Sequence, residues 1–591
     1  MERRLLILKY VFITIFWILI ARLFTIQIIY HKAYLRASQN NIYLNIRKAA
    51  LRADIRDRNG AILATSNPLF KLSFSGTTAE LEHIQNILLQ NGNNAYIQHN
   101  CLIVKNLKWE QVVKIFSISS IPVPEIEIDQ VRTYPLNAAS AHIIGYLQNV
   151  YENEYKGTNG VEKLYDKILA GTPGKDVFLI NAKRHRLNKQ KTIEAQSAQA
   201  IYLSIDSNLQ KAAYEALAER KQGAIMIINA QTGEILAATS YPSFNPEYFS
   251  DKASEQKTQA IKEYYQDALK PLFNLFLNAA YPPGSTIKPF MLVAMLKKGV
   301  PKEYYCTGSY NLGKNTFHCL GNHKSIDARR ALFASCNCFF YAFSQYLSQE
   351  DLAFVWKEFG LGEPILSELN KKYPKFPHKE NWKLIDSLFM QIGQGATLVT
   401  LAQLVRAYAR LGTGKKIDIS FLKQEIQQPV PDLEIAKEYL DPVRQALYDT
   451  VNTPGGTAFW QYKPIEAAGK TGTAQVLKLK KHEYRRSNEM REWQFRDHAL
   501  FCAYAPADNP KVCGCIIIMH GGKGYTSARP LLKLLDMALE IYKEPEEPKN
   551  EVTAAAKETE KENISENKKE QEKEELTKDS KIPSQYTKLI V

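Results

Sequence analysis

The chain has 591 residues, 45% of them apolar and 23% charged, with a formal net charge of +15. That apolar fraction excludes a wholly disordered chain, and the length leaves room for several domains. The lysines and arginines are scattered and fit no nucleic-acid-binding module, so the positive balance points to an anionic membrane surface or polymer, and no nucleic-acid partner is expected.

At the start, Met1-Glu2-Arg3-Arg4 is basic and residues 5–30 are almost wholly apolar, least interrupted over 10–21. Lys9 and Arg22 are costly in lipid unless they snorkel or face a partner. The bulky Gln27-Ile28-Ile29-Tyr30-His31 offers no small-residue cleavage site, which favours an uncleaved anchor over a secretory signal peptide. The reading is a cytoplasmic N-terminus at 1–8 and a single transmembrane helix at 9–30. The leading arginines place the N-terminus in the cytoplasm and the rest of the chain on the other side of the membrane.

Residues 31–200 mix strand and helix patterns. Ala53-Asp54-Ile55-Arg56-Asp57-Arg58-Asn59-Gly60 ends in a hairpin signal, and a helical segment opens at Gly160-Val161-Glu162 and runs to Leu169. Near Leu203 a second unit begins, assigned to 201–545. Asp206 or Ser207 caps a helix from Asn208 to Glu219, and two strands flank Asn229-Ala230-Gln231-Thr232-Gly233. Residues 255–455 read as mainly helical, and strand patterns return at 468–476, 499–504 and 511–519, followed by a helix at 530–542. Strands at both ends with helices between them predict an antiparallel sheet with a helical subdomain, an α+β fold. Residues 546–591 are rich in Glu, Lys, Asn, Ser and Thr and read as a disordered charged tail.

One stretch organises the second unit. Tyr281-Pro282-Pro283-Gly284 forms a turn leading into Ser285-Thr286-Ile287-Lys288 and an apolar helix pattern ending near Lys298. Ser285 and Lys288, three residues apart at a helix start, share a face, and a hydroxyl beside an amine there can become a nucleophile with its own base, although Ser-x-x-Lys alone is a common pattern. Ser335-Cys336-Asn337 and Lys470-Thr471-Gly472-Thr473 follow in order. Ser-x-x-Lys, a Ser-x-Asn triplet and Lys-Thr-Gly in this order are the signature of β-lactamases and penicillin-binding proteins.

On these motifs the chain resembles a class B penicillin-binding protein. The likeness includes Arg56-Asp57-Arg58-Asn59-Gly60, Gly233-Glu234-Ile235-Leu236-Ala237 with Asn245-Pro246, Pro271-Leu272-Phe273-Asn274, Gly393-Gln394-Gly395 and Gly455-Gly456-Thr457. Asp497-His498-Ala499-Leu500-Phe501 with Tyr504-Ala505-Pro506 is more similar to the elongation-specific branch, penicillin-binding protein 2, than to the septal branch. The resemblance implies an elongated pedestal of dimerisation type at 31–200 and a transpeptidase domain with a five-stranded antiparallel sheet. It implies a serine-type D-Ala-D-Ala transpeptidase that crosslinks peptidoglycan stem peptides during cell elongation and shape maintenance. A D-Ala-D-Ala donor, an amine acceptor and β-lactams would be its ligands, with no cofactor for catalysis. The roles it implies are Ser285 as nucleophile, Lys288 as base, Ser335 as proton carrier to the leaving amine and Asn337 as a donor-peptide contact. Lys470 would supply positive potential, Thr471 and Thr473 would bind the terminal carboxylate, and Gly472 would admit the substrate backbone. The N–H groups of Ser285 and Thr473 would form the oxyanion hole. Partners implied are a SEDS-type glycosyltransferase, met through the span and pedestal, and other elongation-complex proteins.

Among eight cysteines, Cys306, Cys319 and Cys336 combine with His323 in a C-x12-C-x3-H-x12-C pattern that suits a structural zinc site. Some members of the penicillin-binding protein 2 branch are similar in this respect. A Cys306–Cys319 disulfide or buried free thiols are the alternatives, with His318 and Cys338 as competing ligands nearby. Cys502, Cys513 and Cys515 fall in strand patterns and read as core. Rival functions are a D,D-carboxypeptidase, a β-lactamase or penicillin sensor, and a mainly structural activator of a membrane glycosyltransferase.

Overall fold

A computed structural model describes residues 2–48, 50–98, 101–118, 120–151, 154–180, 186–196, 198–250, 255–301, 303–370, 372–423, 429–462, 464–476 and 490–543. Met1–Leu539 is one compact unit; of a second, Glu540–Val591, residues 540–543 are described. The tail expected at 546–591 lies outside the described residues.

A helix at Glu2–Phe24 continues through a π-helical turn at Thr25–Ile29. Arg4–Ile29 is the one stretch among the described residues that is helical, long and apolar enough to cross a membrane.

The pedestal region carries a three-stranded sheet of Tyr43–Lys48, Gly174–Ile180 and Arg186–Ile193, and a six-stranded sheet built around the long strand Ile62–Ser75. The expected hairpin forms. Asp57 N donates to Ala61 O at 2.8 Å, Asp57 Oδ1 accepts from the backbone of Asn59 and Ala61, and Gly60 takes the left-handed conformation the turn needs (φ 88°). The other oxygen of Asp57 accepts from Ser207 Oγ at 2.6 Å, and Asn59 Nδ2 donates to Asp206 at 2.9 Å. The hairpin is thereby tied to the N-cap of helix Ser207–Ala218, where Asp206 is the capping residue. The helical segment expected at 160–169 is broken into Gly160–Leu164 and Asp166–Ala170.

The second region is built on a five-stranded antiparallel sheet in the order Ile235–Tyr241, Gly223–Asn229, Val512–Ile518, His498–Ala505, Ala468–Ala474. Alternate residues point to one face. Met226, Leu500, Cys502, Cys515 and Ile517 share a core with Met291, Leu404 and Ala407 from the helical subdomain. Ala468–Ala474 is an edge strand, so one side of its backbone is open to other segments. The late cysteines are buried as expected, but two of them also bond. Cys502 and Cys515 stand directly opposite across neighbouring strands, with Cα atoms 4.1 Å apart, and form a disulfide. Period-two alternation is visible in sequence; the register that sets these two side by side is not.

Residues 255–455 are mainly helical, with one departure. Two ribbons interrupt them: Glu303–Cys306 pairs with Lys324–Asp327, and Ser309–Leu312 pairs with Asn315–His318. Their strands are four residues each, too short to show alternation, and Gly313 (φ 59°) supplies the tight turn of the second ribbon.

Candidate active site

Ser285 sits in a 3-10 turn, Gly284–Ile287, and the α-helix proper begins at Lys288. An α-helix through Ser285 would need an N–H at residue 289, which is a proline. The chain closes the shorter ring instead, with Lys288 N–H donating to Ser285 O. Side chains three apart eclipse in a 3-10 turn, so Ser285 and Lys288 project from the same side of it. Pro289 then occupies the first turn of Lys288–Lys297, where a missing N–H costs nothing.

Lys288 is fully buried. Its Nζ donates to Ser335 O at 2.9 Å, to Ser335 Oγ at 3.3 Å and to Asn337 Oδ1 at 2.7 Å. All three partners are neutral oxygens. Burial pushes the Lys288 ammonium down to about 8, against an opposing pull from the nearby thiols of Cys319, Cys336 and Cys338.

Ser335 is placed by an unusual helix end. Helix Ala328–Phe333 closes with Ser335 N donating to Leu332 O at 3.1 Å and Cys336 N to Ala331 O at 2.8 Å. That is the Schellman pattern, and its left-handed position, normally glycine, is Ser335 with φ 58°. The strain costs about 1–2 kcal/mol. It projects the hydroxyl toward Lys288 and lets the next helix, Asn337–Phe343, start two residues later. The amide of Asn337, expected to hold a donor peptide, is engaged at both ends here: Oδ1 by Lys288 and Nδ2 by His318 O at 3.2 Å.

The third motif lies on the edge strand Ala468–Ala474. Lys470 is fully buried, and its Nζ donates to Thr471 O at 3.1 Å. Burial first, and the charge of Lys288 second, hold its ammonium well below the ordinary lysine range. Thr471 Oγ1 lies 2.7 Å from Thr457 Oγ1, and Thr473 Oγ1 accepts from Gly524 N at 3.1 Å. Gly472 was expected to make room for substrate. In the fold its missing Cβ makes room for the protein: a Cβ there would stand 2.7 Å from Thr286 Cγ2 and 3.0 Å from Pro283 O. Gly284 answers from the other side, since a Cβ on it would meet Thr473 O at 2.5 Å and Thr473 N at 3.2 Å. The Ser285 turn thus lies against the edge of the Lys470–Thr473 strand, with the backbones of 284 and 473 in close approach.

Three supports of this arrangement escaped sequence reasoning as site residues. Tyr408 OH donates to Thr286 O at 2.7 Å, pinning the serine turn from helix Leu401–Thr413. Gln394 Nε2 donates to Thr473 O at 3.4 Å, and Gly393 O accepts from Gly284 N at 3.0 Å. Thr457 touches Thr471. Gln394 and Thr457 lie in glycine-flanked stretches that offered a signal; Tyr408 lies in an apolar helix and offered none.

Behind Ser335, Cys306, Cys319, His323 and Cys336 converge, with their donor atoms all within 4.8 Å of one another. The ribbons bring them together, and the disulfide alternative between Cys306 and Cys319 does not form. Each of Cys306 Sγ and Cys319 Sγ lies 3.5 Å from His323 Nδ1, and the sulfurs of Cys319 and Cys336 are 3.7 Å apart. Asn337 N donates to Cys319 Sγ at 3.1 Å, so the cluster borders the Ser335-Cys336-Asn337 motif directly. Cys338 is buried nearby as a free thiol, and His318 serves through its backbone oxygen.

The penicillin-binding protein transpeptidase domain profile matches residues 223–535, and the penicillin-binding protein dimerisation domain profile matches residues 47–203. The chain is 26% identical to the peptidoglycan D,D-transpeptidase MrdA of Salmonella typhimurium, over 90% of this chain and 95% of that one. It is 29% identical to MrdA of Acinetobacter baumannii, over 87% of this chain and 84% of that one. Among solved structures it is similar to penicillin-binding protein 2 of Helicobacter pylori in complex with MreC, with TM-score 0.69 and 26% identity, covering 85% of this chain and 99% of that one. The chain belongs to the class B penicillin-binding proteins, of the penicillin-binding protein 2 type.

Proposed function

We infer that this chain is a peptidoglycan D,D-transpeptidase of cell elongation and a target of penicillin, acting through an acyl-serine at Ser285. The observation that carries the reading is the pair of buried lysines, Lys288 and Lys470, beside a serine turn, with neutral oxygens as their hydrogen-bond partners.

Neutral Lys288 takes the proton of Ser285 Oγ as the oxygen attacks the carbonyl carbon of the penultimate D-Ala. Ser285 N–H and Thr473 N–H hold the oxyanion, each donor contributing about 3–4 kcal/mol. The C–N bond then breaks. The proton passes from Lys288 through Ser335 Oγ to the departing D-Ala amine, leaving the acyl ester on Ser285. An amine from a neighbouring stem peptide attacks the ester, gives up its proton by the same route and regenerates the serine hydroxyl. Lys470 with Thr471 and Thr473 binds the terminal carboxylate, and Asn337 exchanges its His318 contact for the donor backbone.

A structural zinc belongs to the same reading. Tetrahedral Zn–S and Zn–N bonds of about 2.3 and 2.0 Å would separate ligand atoms by about 3.5–3.8 Å. Three of the six donor pairs, at 3.5, 3.5 and 3.7 Å, fit that separation, and all six lie within 4.8 Å. Cys306, Cys319, His323 and Cys336 would hold the ion, which would brace the Ser335-Cys336-Asn337 segment and take no part in the reaction. Elemental analysis of purified protein should give one zinc per chain; its absence would remove this part of the reading.

The span at Arg4–Ile29 anchors the chain in the membrane. Arg3 and Arg4 favour a cytoplasmic N-terminus and a periplasmic catalytic region. A SEDS-type glycosyltransferase would meet the span and pedestal, and an MreC-like partner is suggested by the Helicobacter pylori complex.

The test is product analysis with a D-Ala-D-Ala donor and an amine acceptor. The chain should form crosslinked product, and Ser285→Ala should form none. Hydrolysis without crosslinking would favour the carboxypeptidase alternative, and rapid turnover of a chromogenic β-lactam would favour a β-lactamase.

A further inference from the structure

The two walls of the catalytic cleft come from distant parts of the chain: the segment carrying Ser335 and Asn337, and the edge strand carrying Lys470, Thr471 and Thr473. One carboxylate joins the element behind each wall. Asp449 lies near the end of helix Lys437–Asn452 and is buried. Its Oδ2 accepts from Arg329 Nε at 2.5 Å and its Oδ1 from Arg329 Nη2 at 3.0 Å, a two-pronged pair. Arg329 belongs to Ala328–Phe333, the helix whose strained C-terminal turn delivers Ser335.

The same Oδ1 accepts from Thr453 Oγ1 at 3.0 Å, and Asp449 O accepts from Thr453 N at 3.1 Å. Thr453 O in turn accepts from Gly456 N at 3.0 Å. Gly456 packs so tightly on this helix end that a Cβ on it would stand 2.4 Å from Asp449 O. Thr457 follows, and its hydroxyl meets Thr471. Asn452 Nδ2 reaches Ala467 O at 2.8 Å, just before the edge strand. Burial alone would raise the Asp449 carboxyl, but the hydrogen bonds from Arg329 and Thr453 outweigh it and hold it below the ordinary range, so the carboxylate stays ionised.

We propose that Asp449 is a positioning residue for acyl transfer, a brace that fixes the Ser335 wall relative to the Thr457–Thr471 wall through Arg329 on one side and Thr453 on the other. It touches no substrate. Its effect is on the distance between the proton carrier and the carboxylate-binding strand, which must both meet one donor peptide. This rests on the acyl-serine reading and adds a residue that the three motifs do not contain.

The test is stopped-flow acylation of the full chain by a fluorescent penicillin, resolving non-covalent affinity from the acyl-transfer rate constant. Asp449→Asn keeps the shape of the side chain and weakens both arms of the brace. The acyl-transfer constant should fall by about ten- to a hundred-fold, the scale expected when reacting groups are displaced by about 1 Å, with little change in affinity. Arg329→Lys keeps the charge but loses the planar fork, and should give an intermediate loss. An ion pair that merely stabilised the fold would lower the unfolding temperature and leave acylation of the folded protein unchanged. If Asp449→Asn does not fold, Arg329→Lys decides. Acyl transfer at the wild-type rate in whichever folded variant is measured overturns the proposal. Failure of the wild-type chain to form a Ser285 adduct would instead overturn the acyl-serine reading, and this inference with it.

Discussion

Two of the buried-charge clusters among the described residues are built in opposite ways. In the pedestal, Glu162 is completely buried between Arg52 and Arg132, with Arg52 Nε at 2.6 Å and Arg132 Nε at 2.8 Å. Asp166 adds a second carboxylate to Arg52 at 2.8 Å. In the catalytic region, Lys288 and Lys470 are equally buried but face neutral oxygens, and they feel each other. Where opposite charges are matched, the cluster holds a fold in place. Where like charges are buried with neutral partners, the cost goes into lowering an amine toward neutrality. The first arrangement locks protons in place; the second readies one to move.

Removing one member from each cluster should separate the two roles. Lys288→Met should lower acylation by roughly a thousand-fold, within the range of a lost general base, while stability holds or rises because a buried amine is gone. Measurement of penicillin acylation beside denaturant unfolding checks both halves, and a variant that acylates normally breaks the comparison. Glu162→Gln should do the reverse. Leaving two arginines buried with one carboxylate fewer should cost about 3–5 kcal/mol of stability, while any folded protein should acylate normally.

The pH dependence sharpens the contrast. The base must be neutral, so acylation should fall about ten-fold per pH unit below about 8, and level off above it. A flat profile from pH 6 to 9 would contradict Lys288 as base. The smallest effect concerns Ser335. Glycine suits its left-handed conformation, so Ser335→Gly should raise stability by up to about 1 kcal/mol while slowing acylation. Loss of stability in that variant would show that the conformation is not strained.

Much of the site was legible because its chemistry is local. Ser285 and Lys288 are three residues apart, and the turn, the capping Asp206 and the hairpin at Asn59-Gly60 depend on neighbours in sequence. Even the 3-10 form of the serine turn was encoded, in Pro289, although the motif alone suggested an α-helix. What was hidden depends on contacts between distant segments. The four-residue ribbons that gather the Cys/His cluster, the register that opposes Cys502 to Cys515, and the span from Arg329 to Asp449 are set by tertiary packing. No periodicity reports them. Glycines were the partial exception: Gly472 was singled out for close approach, and the approach is real, but the partner is the Ser285 turn.

The central claim is that Ser285 is the acyl-forming nucleophile. The most direct measurement is mass spectrometry of peptides from the chain after labelling with a fluorescent penicillin. The account predicts a single covalent adduct, on the peptide containing Ser285, lost in Ser285→Ala. An adduct on Ser335 or any other residue, or no adduct on folded protein, would contradict it.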